Sequence, residues 1–98
     1  MVNQYFEIID EVSFSGTVKS LKKQYPRIEE IVDDLNWACQ KNPFLGTAIE
    51  QQGDYEARVI HTMAIGQTPA FWVLIEIDKR KEQVTFISIT PIDENQNG

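Results

Sequence analysis

His61 is the only histidine of the chain and lies at the end of the apolar-polar run Tyr55–Ile60. An imidazole changes charge near neutral pH, so His61 is a candidate general acid or base. A lone histidine without a visible partner is equally an edge-strand residue with no chemistry. Lys79, Arg80 and Lys81 form the densest basic cluster. They can meet RNA phosphates, or they can be the solvated tip of a hairpin. Lys19, Lys22 and Lys23 read as the solvated end of a helix, where positive charge meets the negative end of the helix dipole. Arg58 can pair with Glu56 or Glu76 across a sheet. The acids Glu29, Glu30, Asp33 and Asp34 share helical faces at i and i+4. Without a second converging ligand segment they describe a solvated face, and no metal is expected. No zinc spacing, phosphate-binding glycine loop or nucleophile elbow occurs, and no cofactor is expected.

The composition sets outer bounds. Fifteen acidic side chains against nine basic ones leave a formal net charge of −6 and a pI near 4.6. That balance argues against nonspecific phosphate contact as the main activity. Ninety-eight residues with 42% apolar content are material for one core, so a single domain over 1–98 is expected, with a polar tail at 93–98 that frays. One cysteine excludes an intramolecular disulfide and fits a reducing cytoplasm. The opening MVNQYFEIIDEV lacks the basic region and cleavage site of a signal peptide. The apolar stretch Ala70–Ile75 is too short to span a bilayer, so no membrane partner is expected.

Periodicity supplies the elements that must position these side chains. Tyr5, Phe6, Ile8 and Ile9 mark a short strand over 4–9. Ser13 is a candidate N-cap for a helix whose inner face is Phe14, Val18 and Leu21, weakened by Gly16. Tyr25-Pro26 breaks it, and Pro26 suits the first turn of a second helix. There Ile28, Ile31, Val32, Leu35, Ala38 and Cys39 form an apolar stripe that Asn42-Pro43 ends, with Trp37 beside it at the core edge and Cys39 as a small buried hydrophobe. The remainder alternates with period two in three segments: Tyr55–Ile60, Ala70–Asp78 and Val84–Thr90. Gly66-Gln67-Thr68-Pro69 and the polar run 78–83 supply the turns. The expected fold is α+β: an N-terminal strand and a two-helix hairpin packed on an antiparallel sheet completed by a three-stranded meander. Trp72 and Leu74 face away from Phe71, Val73 and Ile75. Whichever face the helices leave open determines whether Trp72 is core or an apolar patch for a partner.

This order of elements and several short motifs resemble the RelE/ParE/HigB superfamily, the toxins of type II toxin–antitoxin modules. Phe14 to Tyr25-Pro26 is similar to the family's first helix, and Asn42-Pro43-Phe44-Leu45-Gly46-Thr47-Ala48-Ile49 to its N-P-x-x-G-x-x-I segment. Tyr55-Glu56-Ala57-Arg58-Val59 resembles its Y-x-x-R-V strand, and Phe86-Ile87-Ser88-Ile89 lies in the closing strand. The resemblance implies a cytoplasmic RelE-like toxin held by a cognate antitoxin. If active, it inhibits translation by ribosome-dependent cleavage of mRNA. In that mechanism Arg58 supplies positive charge at the strained phosphate, His61 serves as acid or base, and Lys79, Arg80 and Lys81 hold RNA. Two positions depart from the pattern. Trp72 stands where many members have the arginine of F-R-V, and the closing strand runs Thr90-Pro91-Ile92-Asp93-Glu94 where some carry a catalytic tyrosine and a basic residue. These departures open the alternative of a catalytically impaired or ParE-like module acting through a protein partner, with Trp72 and Leu74 as the partner-binding residues.

Overall fold

The computed structural model describes residues 5–92, and the tail expected to fray lies outside them. Seven elements follow in chain order: β1 (Glu7–Asp10), α1 (Val12–Lys22), α2 (Ile28–Lys41), β2 (Thr47–Gln52), β3 (Tyr55–His61), β4 (Phe71–Asp78) and β5 (Gln83–Pro91). The strands form one sheet in the order β1-β5-β4-β3-β2. The α+β expectation holds, with two differences. The sheet is mixed, because β1 runs parallel to β5 after the helical hairpin carries the chain back across one face. The meander has four strands, because β2 precedes the three read from alternation and pairs antiparallel with β3. All six residues of β2 are exposed, so it lacks the buried side chains that make a strand visible in sequence. Its local signal is Gly53-Asp54, a two-residue connection between paired Gln52 and Tyr55.

Strand β4 is central. Phe71, Val73, Ile75 and Ile77 are all fully buried, while Trp72 and Glu76 between them are exposed. The buried set meets Val84, Phe86 and Ile89 of β5 and, from the helices, Phe14, Ile28, Ile31, Val32 and Cys39. Val18, Leu21 and Leu35 pack at the margin of this core, so both predicted helix faces point inward. Ser13 is not the N-cap of α1. Glu11 holds that position, and Ser13 is the second residue of the helix, its carbonyl accepting a bond from Thr17 Oγ1 at 2.9 Å. Pro26 sits just before α2, which begins after Arg27. Trp37 does not cover the core edge: it is 61% exposed, with Lys41 Nζ 4.1 Å from its ring centroid.

The Asn42–Gly46 connection explains its own sequence. Asn42 Oδ1 accepts the Phe44 N–H at 3.1 Å, and Pro43 is fully buried. Gly46 has φ +69°, and a Cβ there would lie 2.1 Å from the Val59 carbonyl oxygen. Gly46 therefore allows both a left-handed backbone and a close approach to β3.

Two substitutions test this arrangement by denaturant unfolding. Ile75→Ala should cost about 2–5 kcal/mol by opening a core cavity, whereas Leu74→Ala on the opposite face should cost less than about 1.5 kcal/mol. Gly46→Ala should destabilise by roughly 2–3 kcal/mol, since both backbone strain and contact oppose it.

Candidate functional site

The helices cover the Phe71–Val73–Ile75–Ile77 face, so among the described residues the other face of the sheet is open, and Trp72 lies on it, 47% exposed. Cross-strand register arranges that face in rows. The first row is His61, Trp72 and Thr90. The second is Thr47, Val59, Leu74 and Ser88. The third is Glu50, Ala57, Glu76 and Thr85. The first two rows apart from His61, with Ile49 from the bulge in β2, line a shallow concavity of about 600 Å³. Glu50 and Glu76 line the adjoining depression with Gln52, Tyr55 and Ala57. One end of the face is apolar and the other acidic.

His61 packs edge-to-face on Trp72, with ring centroids 4.8 Å apart. Arg58 is on the other side of the sheet, since odd and even positions of a strand point to opposite faces. Its Nε donates to the Leu45 carbonyl at 2.8 Å and its Nη2 to the Gly46 carbonyl at 3.1 Å, while Nη1 pairs with the Glu56 carboxylate. The guanidinium also lies 5.9 Å from the Phe44 ring centroid. Arg58 thus ties the connection after α2 to β3. Glu56 is 3% exposed and receives Lys79 Nζ at 3.3 Å on its second oxygen. Burial opposes ionisation of Glu56, but its bonds to Arg58 and Lys79 and their positive charge prevail, holding the carboxyl below its usual value.

Lys79, Arg80 and Lys81 lie in the turn between β4 and β5, where Asp78 Oδ1 accepts the Arg80 and Lys81 backbone N–H groups. The turn adjoins Asp78, at the opposite end of β4 from Trp72 and roughly 20 Å from it at 3.3 Å per residue. The structure therefore brings His61 to Trp72 and brings Arg58 to Glu56 and Lys79. It does not bring His61, Arg58 and the basic turn together. All nine lysines and arginines lie in the helices and their connection, on the covered face at Arg58, or in the β4–β5 turn. Cys39 is fully buried, and burial pushes its thiol up to about 11, away from nucleophilic use. Among the described residues no group of histidine, cysteine and carboxylate side chains could hold a metal ion, and no helix is long and apolar enough to cross a membrane.

Sequence reasoning offered Glu56 as one partner of Arg58, and the structure pairs them. It missed the burial of Glu56 and its contact with Lys79, which depend on the fold, and missed Thr47, Ile49, Val59 and Ser88 as neighbours of Trp72 and Leu74. Register would have found Val59 and Ser88, because they stand directly across from Leu74.

A helical hairpin on one face of a five-stranded sheet, with the first strand parallel to the last, is the RelE-like fold. The solved structure of the archaeal RelE-RelB complex from Pyrococcus horikoshii OT3 contains a chain similar to this one, with a TM-score of 0.58 and 16% identity over 90% of this chain and 96% of that one. No family model matches the sequence, and no curated protein matches it.

The Glu56 cluster predicts a pH dependence with a definite sign. A carboxyl lowered in the native state adds stability that is complete above its unfolded value of 4.5 and is lost as pH falls through the lower native value. Unfolding free energy should therefore fall more steeply below pH 4.5 for the native chain than for Glu56→Gln. Equal slopes would remove Glu56 as the source.

Proposed function

We propose that the protein is the toxin-fold component of a type II toxin–antitoxin module that acts by binding a protein, with a cognate antitoxin as its controlling partner. The observation that carries this reading is the open sheet face: an apolar concavity around Trp72 and Leu74, bordered by Glu50 and Glu76 and free of lysine and arginine. Phosphoryl-transfer chemistry on RNA needs positive charge beside the developing negative charge. Here Arg58 is held by Glu56 and two carbonyls on the covered face, and the basic turn is a sheet length from His61. Inhibition by binding needs neither group. The likeness to the RelE-RelB structure supports the fold on which this reading rests.

The competing reading is ribosome-dependent mRNA cleavage, favoured by the exposed imidazole of His61 at the rim of the concavity. In it, His61 is the acid or base and Lys79, Arg80 and Lys81 make the RNA contact. A cytoplasmic site of action belongs to both readings.

Induced expression in a bacterial host separates them. Growth arrest should be relieved by co-expressing the product of the adjacent gene. It should survive His61→Gln and the triple change of Lys79, Arg80 and Lys81 to alanine, and vanish with Leu74→Glu in a protein of native circular dichroism. Arrest abolished by His61→Gln, with mRNA cut on isolated ribosomes, would establish cleavage instead. A host that grows normally, with no partner gene adjacent, would defeat the module reading.

A further inference from the structure

We infer that the open sheet face takes a basic amphipathic helix: a protein segment with aliphatic anchors on one stripe and lysine or arginine along one flank. The inference rests on the binding reading above and specifies the chemistry of the partner. The concavity crosses four strands, from Thr47 and Ile49 on β2 to Ser88 and Thr90 on β5. Four strands about 4.8 Å apart span roughly 14 Å, the length of about ten helical residues at 1.5 Å each. An occupant lying across the strands therefore presents two to three turns, with apolar side chains at i, i+3, i+4 and i+7 meeting Ile49, Val59, Leu74 and Trp72.

Charge orients that helix. Glu50 and Glu76 lie in the row beyond Leu74: Glu76 is two residues along β4 from Leu74, about 7 Å, and Glu50 directly follows Ile49 at the bulge of β2. A lysine or arginine on the flank of a seated helix spans that gap with its aliphatic stem over Ala57 and Leu74. Among the described residues neither acid has a basic partner on this face. An acidic helix would meet like charge at the same place, and a nucleic acid would find no cation on the face at all. A second copy of the chain is disfavoured for the same reason: a two-fold contact would set the Glu50–Glu76 ends of two chains of net charge −6 into one interface.

Fluorescence of the full chain provides the test. Trp37→Phe on the exposed face of α2 leaves Trp72 as the single tryptophan. The probes are a 14-residue leucine-anchored helical peptide carrying lysines on one flank, the same peptide with glutamates there, and a 12-nucleotide RNA. The lysine peptide should shift Trp72 emission and bind at least tenfold more tightly than the glutamate peptide at low salt. Glu76→Gln should shrink that preference severalfold, and the pair Glu50→Lys with Glu76→Lys should reverse it. Equal binding of both peptides, a preference that the charge changes do not move, or a Trp72 response to the RNA alone would overturn the inference. So would Trp72 shielding that follows a concentration-dependent dimer. The two readings fail separately. A relieving partner gene whose helical segment is acidic defeats this inference and leaves the module. Lysine-peptide selectivity without growth arrest keeps the surface and defeats the module.

Discussion

Burial of one side of β4 organises the rest of the molecule. Phe71, Val73, Ile75 and Ile77 are removed from water completely, at about 1.5–3 kcal/mol for each large apolar side chain. They can be covered together only because a strand presents alternate residues on one face. The two helices supply the cover, with Phe14 edge-on to Phe86 and Tyr25 edge-on to Phe71. Once that side is committed, β3 and β5 must follow the register, and Trp72, Leu74 and Glu76 are turned outward. The open face is thus the complement of the core, and its chemistry is set by the residues that the core did not take.

A second constraint operates at the margin of the sheet. The chain leaving α2 must cross onto β2 at a distance that Gly46 alone among side-chain types accommodates without displacing Val59. Arg58 then holds the Leu45 and Gly46 carbonyls, and Glu56 holds Arg58 and Lys79. Buried ion pairs of this kind do not guarantee net stability, since both partners lose water. Their consequence here is geometric: the connection, β3 and the β4–β5 turn are tied by one cluster. The same cluster takes a guanidinium and an ammonium away from the open face.

That removal separates fold from chemistry. The backbone resembles a chain of the archaeal RelE-RelB complex over nine-tenths of its length, while the open face carries an indole, aliphatic groups and two carboxylates. A scaffold specifies where side chains project, and the identity of those side chains specifies what they can bind or catalyse. Trp72 is the clearest instance, because its ring both lines the concavity and packs T-shaped with the His61 ring.

Local patterning in the sequence was enough for the two helices and the alternation of β3, β4 and β5, because each depends on neighbours within a few residues. Strand β2 escaped it, since a strand with no buried face carries no period-two signal beyond the Gly53-Asp54 turn. The parallel placement of β1 and the helical cap at Glu11 also needed partners distant in the chain. The sequence by itself determined that Arg58, His61, Trp72 and Lys79–Lys81 exist, and that Trp72 opposes Val73 on its strand. Only the tertiary structure decided that the helices cover the Val73 side, that Arg58 and His61 point to opposite faces, and that Glu56 is buried between two cations. The physical reason is that orientation within a strand is a local property, whereas which face loses its water depends on long-range packing.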